Sequence, residues 1–295
     1  MSWSTLPGPR SAPGAQEALE LDVCWQATAQ VDGYCNQVLR ATIDQEELSG
    51  PSQRLSVDSN GYTRGFVSRW PILTVLGARV SPAASFPSQW IAVPTTAVRP
   101  FEQLITLSPT VPYGAGAGAY QVEIAPGYIN WAGGRAGWRF QMVYSNGWPH
   151  SGLSASVAAG ASVVYVDDVT GWDATMVNLV GQAYDGQYDE QFNVVSVTAN
   201  DPLNLPTGGS VVSGPGSLQL VRPLQFAHQA GVGFSALPPS IQWATILYAT
   251  AEALTRGATA TNVQQQPGSR QSGGGGVEAL RKQAEEILQP YRRIF

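Results

Sequence analysis

A change of apolar period constrains this chain more than any other feature. From residue 54 to about residue 235 the apolar residues come in short β-branched or aromatic runs, whereas both flanks carry helical stripes. The runs lie at 54–58, 62–70, 74–80, 90–93, 120–124, 138–144, 162–166, 192–198 and 217–221, with Gly, Pro, Asn or Asp at the joins. Asp58-Ser-Asn-Gly61 has the chemistry of a hairpin turn. Short strands in such number build sandwiches or barrels. With 32 Gly, 21 Pro and only 13% charged residues, the composition also favours a turn-rich β region. The expected fold is α+β: a helical scaffold, an N-terminal helix plus two C-terminal helices, split by a large antiparallel β insertion at 52–236.

The flanks divide further. Residues 1–15 read as a flexible arm rich in Ser, Pro and Gly, and 16–50 with 239–257 as the scaffold. Over 16–40, Leu21, Cys24, Val31, Cys35 and Val38 share one face, with Thr28 filling the gap. Gly33 costs that helix about 1 kcal/mol relative to Ala, which points to a close packing contact there. Pro238 and Pro239 start a second helix at 240–256, and Gly257 stands in the C′ position. Ile241, Ala244, Leu247, Tyr248, Ala251 and Leu254 form its face, widened by Trp243 and Ile246, so this helix needs cover on most sides. Residues 258–276 read as a linker of Thr, Asn, Gln, Ser and Gly. A third helix at 277–289 carries Val277, Leu280, Ala284 and Ile287, a helix-packing seam that continues to Tyr291 and Ile294. Pro290 ends or kinks it.

Charge and residue inventory exclude most catalytic chemistries. The net charge is −5, and no Lys or Arg occurs between Arg139 and Arg222, where Asp167, Asp168, Asp173, Asp185, Asp189, Glu190 and Asp201 stand. That segment lacks the cations phosphate binding requires, and it reads as a solvated acidic β region. Cys24 and Cys35 lie about 16 Å apart along one helix, too far for a disulfide. Reduced thiols fit assembly in a cytoplasm. The first residues lack a leader's basic start and apolar centre, and no apolar run approaches the ~18 residues of a membrane span. His150 and His228 have no metal-type spacing and read as satisfied polar residues. There is no G-x-S-x-G elbow and no phosphate loop; the single lysine is Lys282. Gly114-Ala-Gly-Ala-Gly118 lacks the spacing of a dinucleotide turn. Asp167, Asp168, Asp185 and Asp189 match neither a calcium loop nor a defined carboxylate pair, and turn positions are the simpler reading. Trp131, Trp138, Trp148 and Trp172 are expected mainly in cores, although an exposed Trp on a β domain binds sugars or proteins. No catalytic residue, metal or cofactor is expected.

The layout resembles the head-to-tail adaptor (connector) proteins of long-tailed bacteriophages. The likeness rests on the helix, β insertion, apolar helix and C-terminal helix in that order. It rests also on Glu47-Leu-Ser-Gly-Pro51, Val166-Asp-Asp-Val-Thr-Gly-Trp172, the stretch from Leu224 through Phe234 to Pro238, and Leu288-Gln-Pro-Tyr-Arg-Arg293. It covers most of 16–295, with a larger β insertion than the minimal helical members have. The resemblance implies a structural virion protein of the capsid–tail neck, a ring of twelve identical subunits beneath the portal protein. DNA passes through its lumen without specific binding, and a stopper or tail-terminator protein docks below. It further implies that 277–295 docks on the portal. Leu280, Ile287, Tyr291 and Phe295 would be the apolar anchors, and Arg292 and Arg293 would pair with carboxylates. Trp243, Ile246 and Tyr248 are the expected subunit interface of a heterologous, closed ring. The competing expectation is a β-rich tail or baseplate protein that binds a receptor or glycan.

Overall fold

The computed structural model describes residues 15–49, 55–57, 63–82, 90–100, 121–124, 138–172, 180–186, 188–204, 210–256 and 273–292. These residues form an α+β molecule, a helical scaffold with a large antiparallel β insertion. The helices are α1 (Ala15–Cys35), α2 (Pro239–Thr255) and α3 (Gly273–Leu288). Strands β1 (Thr42–Ser49), β2 (Leu55–Val57), β3 (Thr63–Phe66), β4 (Ile72–Pro82), β5 (Ile91–Val93), β6 (Val98–Pro100), β7 (Gln121–Ile124) and β8 (Trp138–Asn146) make the first half of the insertion. The second half holds β9 (His150–Gly152), β10 (Val163–Val166), β11 (Val180–Tyr184), β12 (Glu190–Ala199), β13 (Leu203–Asn204), β14 (Ser210–Val211), β15 (Gly216–Leu220) and β16 (Gly233–Ser235).

The three helices pack as an antiparallel bundle. Asp22 of α1 pairs with Arg256 just past α2, and Gln30 donates to Glu252, so α1 and α2 run in opposite directions. Arg281 of α3 faces Glu252, and Ser240 hydrogen-bonds the Tyr291 hydroxyl at 2.8 Å, so α3 also runs against α2. Ala27, Val31 and Cys35 of α1, Ile241, Ala244, Leu247, Tyr248 and Ala251 of α2, and Ala284 and Leu288 of α3 share one buried core. Helical spacing put these residues on facing stripes, and burial of the stripes holds the bundle.

The scaffold is shorter at its start than 16–50. α1 stops at Cys35 because Asn36 turns left-handed, at φ 53°, and the Asp32 carboxylate takes the Leu39 N–H at 3.1 Å. Residues 42–49 form a strand despite their glutamates and glutamines, because β1 pairs along its whole length with β8, from Thr42↔Asn146 to Ser49↔Arg139. Gly33 is exposed and nothing lies within 4 Å of where its Cβ would stand, so it makes no close contact. α3 begins at Gly273, so the glycine run assigned to the linker is helical. Pro290 falls in a 3-10 turn, Gln289–Tyr291, directly after α3, as its missing N–H requires. Residues 1–14 of the expected arm, 258–272 of the expected linker and the turn at 58–61 lie outside the described residues, although β2 and β3 pair antiparallel across that turn.

The β insertion has two cores. The sheet β1-β8-β4-β5, beside a smaller sheet β2-β3-β7-β6, buries Leu48, Val67, Trp70, Val80, Phe140, Met142 and Tyr144. The six strands in the order β10-β15-β12-β11-β16-β9 close on themselves. Leu153 bridges Val166, Asp167 N–H donates to the Gly152 carbonyl, and Ser154 N–H donates to the Tyr165 carbonyl. The result is a small antiparallel barrel-like unit whose end strands meet at this one bridge, filled by Val164, Val166, Trp172, Phe192, Leu218 and Phe234. Short strands punctuated by Gly pointed to a sandwich or a barrel, and alternate residues of β10, Val164 and Val166, are buried while Val163 and Tyr165 are exposed.

Two joints tie the parts together. Tyr291 stacks on Trp70 at 6.3 Å and meets Trp148 edge-on at 5.7 Å, so the end of α3 plugs into both the bundle and the four-stranded sheet. Between α1 and β1, Arg40 pairs with Asp168 of the barrel. Gly171, at φ 82°, presses against Ala41 and Leu73; a Cβ there would come within 2.8 Å of both.

Candidate assembly surface

The titratable groups of the barrel are engaged in its framework. His228 is fully buried; its Nδ1 faces Asp185 and its Nε2 faces Glu190, each at 2.8 Å. The two carboxylates sit at opposite edges of the ring, so they cannot converge on one ion. Glu190 also accepts the N–H groups of Gln225 and Phe226, and Asp185 that of Tyr188. Asp189 accepts the N–H groups of Asp185 and Gly186. Asp168 accepts Thr170 N–H, the Thr170 hydroxyl and Gly214 N–H besides pairing with Arg40, and Asp167 accepts Gly152 N–H. The acidic run is therefore built largely into turns and joints rather than held out to solvent, while Asp173 lies outside the described residues.

Other candidates resolve in the same way. Trp172 is 1% exposed and donates its indole N–H to Ser151, and Trp148 belongs to the aromatic joint. The Trp138 side chain, Trp131 and Gly114–118 lie outside the described residues. Cys35 is buried, and burial pushes its thiol up to about 12, so it is no nucleophile at neutral pH. Cys24 is half-buried. A cleft of about 250 Å³ between β4, β8 and the barrel is lined by groups such as Ile43, Leu76, Thr170 and Val212, with no titratable side chain. Among the described residues no cluster of His, Cys, Asp and Glu could hold a metal ion, and no helix is long and apolar enough to cross a membrane.

Large apolar residues stand exposed on the barrel, Tyr165, Val195 and Val221 among them, and in line along one face of α2. Its buried residues run Ile241, Ala244, Thr245, Leu247, Tyr248, Ala251. On the opposite side Trp243, Ile246 and Leu254 are 50%, 52% and 38% exposed, in line with Thr250. From Pro239 to Ala251 the helix carries no charge. Trp25 of α1, 54% exposed, adds a further apolar residue to the bundle surface. Of the three expected interface residues, Trp243 and Ile246 are on this face, whereas Tyr248 is in the subunit's own core, where burial raises its hydroxyl to about 12. The expected portal anchors are placed differently. Leu280 and Ile287 pack against the bundle core and Tyr291 fills the aromatic joint. Gln37 donates to the Tyr291 carbonyl, and Arg292 lies over the Tyr34 ring at 5.3 Å. Arg293 and Phe295 lie outside the described residues. The stripe at 277–291 was legible, but amphipathicity alone left open whether it packs in its own bundle or on another protein; in the single chain it packs on α2 and α1. Compared with protein-family models and with curated proteins, the sequence matches none of either.

Proposed function

We propose that this chain is a structural virion protein, a head-to-tail adaptor. It forms a ring, twelve subunits by the resemblance, beneath the portal protein, extends the DNA channel, and offers its other side to a stopper or tail-terminator protein. The observation that carries the reading is α2, which is apolar on two opposite faces. One face is covered within the subunit; the other presents Trp243, Ile246 and Leu254 to solvent. A helix with two apolar faces and no charge from Pro239 to Ala251 is suited to a second protein surface rather than to water. A repeated heterologous contact through such a face gives a ring when its rotation closes.

The portal contact is narrower than 277–295 on this reading. With Leu280, Ile287 and Tyr291 engaged inside the subunit and Arg292 over the Tyr34 ring, Arg293 and Phe295 are the anchors that remain for the portal on this reading. The test is electron microscopy of the full chain, alone and mixed with a portal ring. Rotationally symmetric particles are expected. Trp243→Glu with Ile246→Glu should leave folded monomers with an unchanged melting temperature. A wild-type chain that stays monomeric with and without portal overturns the proposal, and saturable glycan binding by that monomer would favour a receptor-binding role instead.

A further inference from the structure

The connection between α2 and α3 is much longer than their packing requires. Glu252 and Arg281 face each other across the two helices. α2 runs three residues beyond Glu252, and α3 starts eight residues before Arg281. At 1.5 Å per residue those ends are offset by roughly 7 Å along the axis, and packed helices lie about 9 Å apart. A gap of about 12 Å has to be closed, which helix–helix connections close with about 2–8 residues. Here sixteen residues, 257–272, join Arg256 to Gly273. They are Thr, Gln, Ser, Gly and Ala in the main, with Val263 the single large apolar residue, and fully extended they reach about 55 Å.

α3 itself is an amphipathic unit that carries its own anchors. Ala284 and Leu288 are fully buried and Leu280, Ile287 and Tyr291 half-buried, while Glu278, Lys282, Glu285 and Glu286 face solvent. It packs chiefly on α2, touches α1 little, and ends in the Trp70–Trp148–Tyr291 joint. Every one of those contacts is on a surface that a neighbouring copy presents in identical form.

We infer that α3 is exchanged between copies: in the assembled protein the 273–292 segment of one subunit occupies the groove of α2, the α1 end and the aromatic joint of the next. The inference rests on self-assembly of the chain and names the element that links subunits. Exchange conserves each contact, so it costs little beyond ordering the connection, and the long connection supplies the reach. It also gives the ring a direction, because each subunit donates one helix and receives one.

The experiment starts from the full chain with Cys24→Ser and Cys35→Ala, into which Glu252→Cys and Arg281→Cys are introduced. Light and ¹⁵N-labelled chains are mixed as monomers, allowed to assemble, and joined with a short bis-maleimide. Exchange predicts 252–281 cross-linked peptides of hybrid light–heavy mass and a ladder of covalent multimers on a denaturing gel. Assembled particles that yield only light–light and heavy–heavy peptides overturn exchange and leave self-assembly standing. A chain that never assembles overturns both. Deleting 260–270 from the unaltered chain gives a second reading. Five residues remain, enough for the hairpin within a subunit, so the monomer should melt as the parent does and fail to assemble; normal assembly of the deletion also overturns the inference.

Discussion

In the barrel, strands meet edge to edge around a full circle, and the buried His228 finds both its partners, Asp185 and Glu190, inside the same unit. In the helical bundle, the third helix arrives on a sixteen-residue connection, and α2 keeps Trp243 and Ile246 in solvent. The two regions differ in charge: α3 holds both acidic and basic side chains, whereas no Lys or Arg occurs between Arg139 and Arg222. They differ also in closure. The barrel pairs its short strands with one another and leaves single apolar residues such as Tyr165, Val195 and Val221 in solvent, whereas α2 lines Trp243, Ile246 and Leu254 along one helix face, a stripe that a partner can cover as a unit.

The sharpest way to break this contrast is to unfill the barrel. Phe234 is fully buried, with the Phe192 ring at 4.6 Å and the His228 ring edge-on at 6.2 Å. Phe234→Ala should cost about 3–5 kcal/mol, read by denaturant unfolding. A self-contained barrel should open by itself, so hydrogen exchange should rise in β9–β16 and stay low in the amides of α2. Equal loss of protection in both regions would show that the barrel and the bundle form one cooperative unit.

A smaller effect is expected at the joint. Arg40, 15% exposed at its side chain, has Asp168 as its carboxylate partner, and Asp168 in turn organises Thr170 and Gly214. Asp168→Asn should cost about 1–3 kcal/mol, because a largely buried guanidinium loses its counter-charge while the amide keeps the acceptor oxygen. The amides of Ala41 and Trp148, which bond to the Trp148 and Leu39 carbonyls, should then exchange faster than any in the barrel core. Unchanged exchange there would mean that Gly171 packing against Ala41 and Leu73 holds the joint without the ion pair.

How far the sequence disclosed this arrangement follows from where each signal is stored. α1 and α2 were legible because their own residues repeat every three or four positions and Pro238-Pro239 marks a start. β1 was not, because Thr-Ile-Asp-Gln-Glu-Glu-Leu-Ser has no strand pattern of its own and becomes one only against β8, about a hundred residues away. β9 and β16, three residues each, are defined by their neighbours in the same way. The acidic run between Arg139 and Arg222 reads as solvated, since nothing local shows that Asp168 will meet Arg40 or that Asp185 will meet His228. The stripe on α3 named an interface correctly and left its partner open.

An effect of opposite sign is expected in the bundle. Asp32 stands near the end of α1, where burial raises its carboxyl from 3.8 to about 6, only partly offset by the Leu39 N–H and by Arg69. Because the folded form holds the proton more tightly than the unfolded chain, the folded state is favoured most below about pH 4 and loses that advantage as the pH rises through about 6. Asn at this position keeps an acceptor for Leu39 N–H and cannot ionise. Asp32→Asn should therefore stabilise the protein by about 2 kcal/mol at pH 7 and by almost nothing at pH 3.5, with the change between pH 4 and 6. Comparing the two proteins at each pH cancels the other carboxylates, several of which, Asp168 and Glu190 among them, are paired in the folded state and act in the reverse sense. If Asp32→Asn were instead destabilising at pH 7, the charged form of Asp32 would be worth more to the α1–β1 turn than its burial costs, and the bundle would resemble the barrel in holding its charges for structural gain.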